Sequence, residues 1–237
     1  MDSIMKLWSV NNSHFSKNGH GSVAVLSWFL GFWFCAGLWI AVHYEGLRAF
    51  GLYVSLLSVF HMSEWLVTAT YNAKEVSADS FLLNHSREYG IACAGAFTEY
   101  FVEYFLYPDM KQLWFIMYPG LIISVVGIVL RVVGMCTAGA AFTHQIKDGK
   151  RQEHHLITDG VYSHIRHPGY CGWFWWTVAS QILLMNPLCT VAFSIVSWKF
   201  FADRIPFEEE VLMSEGFFGD RYKEFRDRTP TYIPFIK

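Results

Sequence analysis

The chain has 237 residues, of which 53% are hydrophobic, 18% aromatic and only 16% charged, well below the ~25% charged fraction of soluble proteins. Its formal net charge of −2 excludes nucleic acid as a partner, because phosphate binding needs a basic excess. What remains is chemistry on small molecules and lipids, carried out by a chain built for the bilayer.

Residues 1–20 are polar and hold no apolar core ahead of a small-residue cleavage site, so no removable signal peptide is expected. Residues 23–42 are uncharged, and at ~1.5 Å per residue they span a hydrocarbon core of roughly 30 Å. Residues 49–71 form a second span, although His61 and Glu64 sit near its middle. Residues 89–107 are apolar enough to cross but carry Glu99 and Glu103. Residues 113–130 are another clear span. The last apolar block, 170–201, is broken at Asn186 and Pro187, a turn signal that folds it into a helical hairpin. The expected fold is all-α, a polytopic membrane protein with about six transmembrane helices. Residues 1–142 supply the N-terminal helices, and 143–237 form a catalytic region of cofactor loop, hairpin and tail. The five cysteines, Cys35, Cys93, Cys136, Cys171 and Cys189, show no CxxC spacing and read as reduced packing residues.

Lys and Arg concentrate on the cytosolic side of membrane proteins. With both termini cytosolic, only Arg48 and Lys111 fall in lumenal loops. The cytosolic segments hold Lys6, Lys17, Lys74, Arg87, Lys147, Lys150, Arg151, Arg166, Arg204 and all the basic residues of the tail. This topology puts residues 143–169 and the tail on one face, joined by the hairpin. Residues 207–237 mix charge with Phe, Tyr and Ile as an interfacial segment does.

An ionisable residue inside a span is a functional candidate by default, yet simpler readings are preferred for those present. His61 and Glu64 share a helix face at i, i+3 and can satisfy each other. Arg131, near a helix end, can snorkel, and Glu99 and Glu103 call for a basic partner elsewhere. His144, His154, His155, His164 and His167 crowd one loop. A di-iron lipid desaturase or hydroxylase would need HxxxH and HxxHH boxes, which are absent, so no metal is expected. No GxGxxG turn follows any strand, so a soluble-type cofactor scaffold is not expected either.

Residues 154–172 read HHLITDGVYSHIRHPGYCG. His154, Leu156, Gly160, Tyr162, Arg166, His167, Pro168, Tyr170 and Gly172 in this run resemble the signature of the isoprenylcysteine carboxyl methyltransferases. A hairpin (173–201), then Asp203, Arg204 and the acids Glu208, Glu209 and Glu210, continue the likeness, as do Phe218, Gly219, Tyr222, Arg228 and Pro230. Upstream, FLLNHSREY (81–89) is similar to the animal members, although two further N-terminal helices that such members can carry are absent. The RHPxYxG run alone is shared with phospholipid methyltransferases; the upstream match selects the prenylcysteine substrate.

The resemblance implies methyl transfer from S-adenosylmethionine to the C-terminal carboxylate of a prenylated cysteine, as borne by small GTPases, at the endoplasmic reticulum membrane with the site facing the cytosol. It implies cofactor contacts from His144, Gln145, His154, His155, Leu156, Ile157, Tyr162, His167, Pro168, Gly169, Tyr170 and Glu208. An α-carboxylate titrates near ~3.5 and is already ionised, so no general base is needed and the task is orientation. A guanidinium fork binds a carboxylate bidentately without deprotonating, and Arg204 is the candidate. Glu208, at i, i+4 from it, steadies the arginine or faces the cationic cofactor. Glu209 and Glu210 read equally as solvated acids. Arg166 is a second carboxylate or cofactor contact, or else a topology anchor. Trp173, Phe174, Trp175 and Trp176 line a lipid-side groove for the substrate or form an interfacial belt. Gly134, Ala138, Gly139 and Ala140 permit close helix packing or give the cofactor room. Two other readings stay open: an NADPH-dependent membrane sterol reductase, and a non-enzymatic lipid-binding receptor, which leaves the Arg204 and Glu208 pattern unexplained.

Overall fold

A computed structural model describes residues 15–16, 19–83, 86–142 and 155–237. Its α-helices among those residues are α1 (His20–His43), α2 (Arg48–Tyr71), α3 (Arg87–Leu106), α4 (Trp114–Ala138), α5 (Pro168–Leu183), α6 (Pro187–Leu212) and α7 (Asp220–Arg228). The expected all-α, polytopic architecture is the one found. The segments His20–His43, Glu45–Tyr71 and Trp114–Ala141 are long and apolar enough to cross a membrane. The hairpin is α5 and α6, turning through Leu184, Met185 and Asn186.

Small residues decide how the helices meet. In lipid the hydrophobic effect does not draw helices together, so they associate where their backbones approach closely. Gly120, Gly127 and Gly134 stand a heptad apart on α4 and so fall on one face. Each abuts the backbone or first side-chain atoms of α5: Gly120 against Leu183, Gly127 against Trp176, and Gly134 against Pro168 and Gly169. Gly172 returns the contact from α5, against Gly127 and Arg131. The two helices run antiparallel with their backbones touching. A similar contact holds α1 to α2, where Gly37 faces Gly51 and Ser55, and the Ser55 hydroxyl donates to the Phe34 carbonyl at 3.0 Å.

The charged residues inside the bundle are cross-links between helices, and their partners differ from those the sequence suggests. Glu64 does not pair with His61. It takes the Nε and Nη2 of Arg131 in a two-pronged ion pair between α2 and α4, while His61 bonds the Phe81 carbonyl (2.7 Å) and the Tyr89 hydroxyl (2.9 Å). Arg131 is therefore not snorkelling. Its charge is neutralised in place, and α4 continues past Leu130 to Ala138.

Glu99 and Glu103 do find partners. The Glu103 carboxylate takes the Lys111 ammonium at 2.7 Å. Lys111 also donates to the carbonyls of Leu184 and Met185 and to Asn186 Oδ1. The Glu99 carboxylate accepts the backbone N–H groups of Leu188 and Cys189, capping the start of α6 where the helix dipole favours an anion. These bonds tie the hairpin tip to the α3–α4 turn, and the Tyr100 hydroxyl ties α3 to the α1–α2 turn through the Gly46 carbonyl. Arg48 and Lys111 thus belong to one end of the bundle. Residues 155–172 of the motif and the tail belong to the other, where Arg166 N–H donates to the Pro230 carbonyl.

The tail is not wholly interfacial. Tyr222, Phe225, Ile233 and Ile236 turn inward and are buried, while Tyr232 and Phe235 face out. Trp175 and Trp198 hold the tail by donating their indole N–H groups to the Tyr232 and Pro234 carbonyls.

A methyl group at Gly127 would stand 2.6 Å from the Trp176 nitrogen, whereas at Gly95 it would meet nothing within 4 Å. Gly127→Ala is therefore expected to lower the thermal unfolding midpoint in detergent by the equivalent of at least ~1–3 kcal/mol. Gly95→Ala is expected to be neutral or to stabilise by up to ~1 kcal/mol through helix propensity. Equal midpoints for the two variants would show that the α4–α5 contact does not limit stability.

Candidate active site

Three parts of the chain meet at the end of the bundle opposite Lys111: the loop before α5, the second half of α6, and the tail with α7. The loop turns through Gly160, whose φ of +54° suits a residue without a Cβ. It then makes a single 3-10 turn, Gly160–Ser163, and enters α5 at Pro168, a first-turn position where proline's missing N–H costs nothing. Between these elements lies a cavity of about 170 Å³. A single water needs only ~10–15 Å³ on this measure, so there is room for a ligand.

The cavity is lined by His155, Leu156, Ile157, Tyr162, His167, Gly169, Tyr170 and Glu208, eight of the cofactor contacts that the motif implies. Pro168 is buried but packs away from the cavity, against Gly134. His144, Gln145 and His154 lie outside the described residues. Ala138 joins the lining, while Gly134 serves helix packing. Gly139, with φ +53°, ends α4 instead.

The acids of α6 divide by helical face. Glu208 faces the start of α5, where its carboxylate accepts the Tyr170 hydroxyl at 2.5 Å. The same hydroxyl accepts Arg204 Nε at 3.3 Å, and the Tyr170 ring stacks on His167 with centroids 5.4 Å apart. Arg204, Tyr170, Glu208 and His167 are thus brought into one cluster, with Arg204 at its edge.

Glu209 points to the other side and is 4% exposed. It accepts Arg166 Nε at 2.6 Å and His167 Nε2 at 2.9 Å. The Arg166 Nη1 donates to the Thr229 carbonyl, so this arginine joins loop, helix and tail from the interior and is no surface anchor. Asp203 and Glu210 are exposed, as solvated acids should be.

The substrate-side aromatics also separate. Trp173 packs on Phe200 and Phe201 across the hairpin and does not line the cavity. Phe174 and Trp176 belong to neither a groove nor an interfacial belt. Both are buried, with Trp176 stacked on Tyr53 and Phe60 of α2.

Two tyrosines of the site lie outside the spans, and both phenols are pushed above their ordinary value. For Tyr162 the cause is burial and then the Glu208 charge, with Arg131 pulling the other way. For Tyr222 it is burial, then Glu209 and Glu208. Both are donors at working pH and neither is a base. Among the described residues no three His, Cys, Asp or Glu side chains converge as a metal site would require.

Sequence reasoning missed the far wall: Phe142, Val211, Leu212, Phe217, Phe218, Tyr222 and Phe225 all line the cavity. A signal was present in the tail motif Phe218, Gly219, Tyr222, but nothing local said that it folds back over the loop.

The profile of the Isoprenylcysteine carboxyl methyltransferase (ICMT) family matches residues 120–214. The protein-S-isoprenylcysteine O-methyltransferase of Xenopus laevis is 46% identical over 215 residues, which cover 91% of this chain and 74% of that protein. This chain belongs to the isoprenylcysteine carboxyl methyltransferase family. The Homo sapiens protein of the same name is 43% identical, covering 91% of this chain and 75% of its own. A solved structure of a eukaryotic intramembrane Ras methyltransferase, ICMT, superposes with a TM-score of 0.88 at 40% identity, over 91% of this chain and 77% of the other. Enzymes of the family take their methyl group from S-adenosylmethionine. The stretch matched to the family profile runs from the first glycine of the α4 ladder to just past α6, so it holds the helix contact and the cavity wall except for Phe217, Phe218, Tyr222 and Phe225. This membership sets aside the sterol reductase reading and the receptor reading.

The two adjacent acids give a sharp comparison. Glu209→Ala strands a buried arginine, and loss of one partner from a buried pair costs ~3–5 kcal/mol. Glu210→Ala, at an exposed position, is expected to stay within ~0.5 kcal/mol. Thermal unfolding of the two variants side by side checks this, and equal midpoints would mean that Glu209 is not the keystone between loop and tail.

Proposed function

We propose that this chain methylates the C-terminal carboxylate of prenylated cysteine at the cavity between the 155–170 loop, α6 and α7. The reaction class follows from the family. The observation that carries the placement is the Tyr170 hydroxyl, which joins Arg204 to Glu208 at the cavity wall.

The cavity fits S-adenosylmethionine by its chemistry. Phe142, Tyr162, Phe217, Phe218 and Tyr222 offer flat apolar faces to a purine, and the Glu208 carboxylate suits a cation. Aromatic faces attract a cation as well. His155, Leu156, Ile157, Tyr162, His167, Gly169, Tyr170 and Glu208 would hold the cofactor, with Pro168 shaping the turn and His144, Gln145 and His154 contributing from the preceding segment. S-adenosylmethionine, when bound, supplies a methyl group made electrophilic by its sulfonium.

The remaining work falls to the chain's own residues. The acceptor carboxylate is ionised at neutral pH, so no side chain need take a proton. Arg204 binds it through the guanidinium fork, with its Nε steadied by Tyr170 and its charge balanced by Glu208 one turn on. Orientation of the acceptor oxygen then provides the rate. Arg166 spends two of its nitrogens on Glu209 and Thr229, so it acts by holding the cavity floor. Trp173, beside the hairpin, borders the route by which the prenyl chain arrives from lipid. Basic-residue placement supports a cytosolic site, and the family resemblance supports an endoplasmic reticulum protein with the carboxylates of prenylated small GTPases as substrates.

Arg204→Lys keeps the charge and loses the fork. It is expected to lower kcat/KM for N-acetyl-farnesylcysteine by roughly 10- to 100-fold, the equivalent of one charge-assisted hydrogen bond, with S-adenosylmethionine affinity unchanged. Near-native turnover would remove Arg204 from this role. Tyr162→Ala and Glu208→Ala are expected to weaken S-adenosylmethionine binding in calorimetry by at least about tenfold. Native affinity in both would place the cofactor elsewhere.

A further inference from the structure

The pair of Glu64 and Arg131 takes no part in the scheme above, and its presence within the bundle calls for a reason. Glu64 is 0% and Arg131 6% exposed. Replacing a buried ion pair with apolar side chains of similar volume is often neutral or stabilising, so helix packing alone does not account for two charges here.

The third branch of the arginine supplies the reason. Nε and Nη2 of Arg131 are engaged by the two oxygens of Glu64, and the guanidinium lies over the Phe60 ring at 5.8 Å. Its Nη1 points out of this arrangement and donates to the Gly169 carbonyl at 3.1 Å. Gly169 lines the cavity. His167, two residues before it, and Tyr170, the next residue, carry the site's contacts, His167 to Glu209 and Tyr170 to Glu208. Gly169 stands in the first turn of α5, and helix ends fray most readily, so this turn gains from being held from outside. The planar fork holds it, because Glu64 fixes its other edge and leaves one direction for Nη1.

We propose that Arg131, oriented by Glu64, is a positioning residue for S-adenosylmethionine: it fixes the Gly169 peptide, and through it the rings of His167 and Tyr170, before the cofactor binds. The inference rests on the cavity being the cofactor site. Without the bond, binding has to order the first turn of α5, and fixing one residue's backbone is worth roughly tenfold in affinity.

Two variants separate positioning from mere stability. Arg131→Lys keeps a positive charge beside Glu64 but has no second edge to reach Gly169. The paired replacement Glu64→Leu with Arg131→Met removes both charges and refills the space. For each, calorimetry gives the S-adenosylmethionine Kd, thermal unfolding gives the midpoint, and steady-state kinetics give KM for N-acetyl-farnesylcysteine. The expected result is a cooperative transition close to native, a Kd raised about tenfold and a prenylcysteine KM within about twofold of native. A folded variant with native S-adenosylmethionine affinity overturns the proposal. So does failure of both variants to fold, which would assign the pair to stability alone. Failure of the unaltered protein to bind S-adenosylmethionine would instead sink the reading of the cavity, a different outcome from native binding that the variants leave unchanged.

Discussion

The backbone contact between α4 and α5 governs the rest of the structure. Gly120, Gly127 and Gly134 on one helix, and Gly172 on the other, let two main chains touch along their length. Lipid gives helices little reason to associate except packing and polar bonds, and the absence of side chains along this seam is what makes the packing close. The seam ends at Gly134, beneath Pro168 and Gly169, so the same contact that holds the bundle delivers the start of α5 to the cavity. Stability and site placement are one constraint here.

On that frame the charges of the bundle act as fixed cross-links. At one end, Lys111 and Glu99 fasten the hairpin tip to α3 and its turn. Within the bundle, Arg131 and Glu64 join α2 to α4 and reach Gly169. At the other end, Arg166 and Glu209 bind the loop, α6 and the tail together. A low-dielectric interior makes each such bond strong and each unpaired member costly, so these links rigidify a site whose main task is orientation. Methyl transfer to an anion that is already ionised would ask for geometry more than for proton chemistry, and the cavity described has donors held by acids and walls of aromatic rings.

The helices, the hairpin, its turn at Asn186 and the motif 154–172 were all legible in the sequence, because run length, charge placement and local turn chemistry are one-dimensional properties. Arg204 and Glu208 were legible as a pair because i, i+4 spacing survives folding into a helix. The pairing of Glu64 was misread for a related reason. His61 was the neighbour that helical spacing offered, whereas the true partner, Arg131, lies on another helix and only packing brings it near. Phe217, Phe218, Tyr222 and Phe225 looked like interfacial residues until the tail was seen to fold back over the loop.

By itself, then, the amino-acid order determined that this is a membrane-embedded helical enzyme of the prenylcysteine methyltransferase kind, and singled out the motif that resembles the family's signature. The tertiary structure alone decided which acid serves which role. Glu208 and Glu209 are adjacent and chemically identical, but about 100° of helical rotation separates them. One therefore lines the cavity and meets Tyr170, and the other lies behind the cavity wall, where it meets Arg166 and His167. No local pattern encodes that difference, since it depends on where the loop and the tail come to rest against α6.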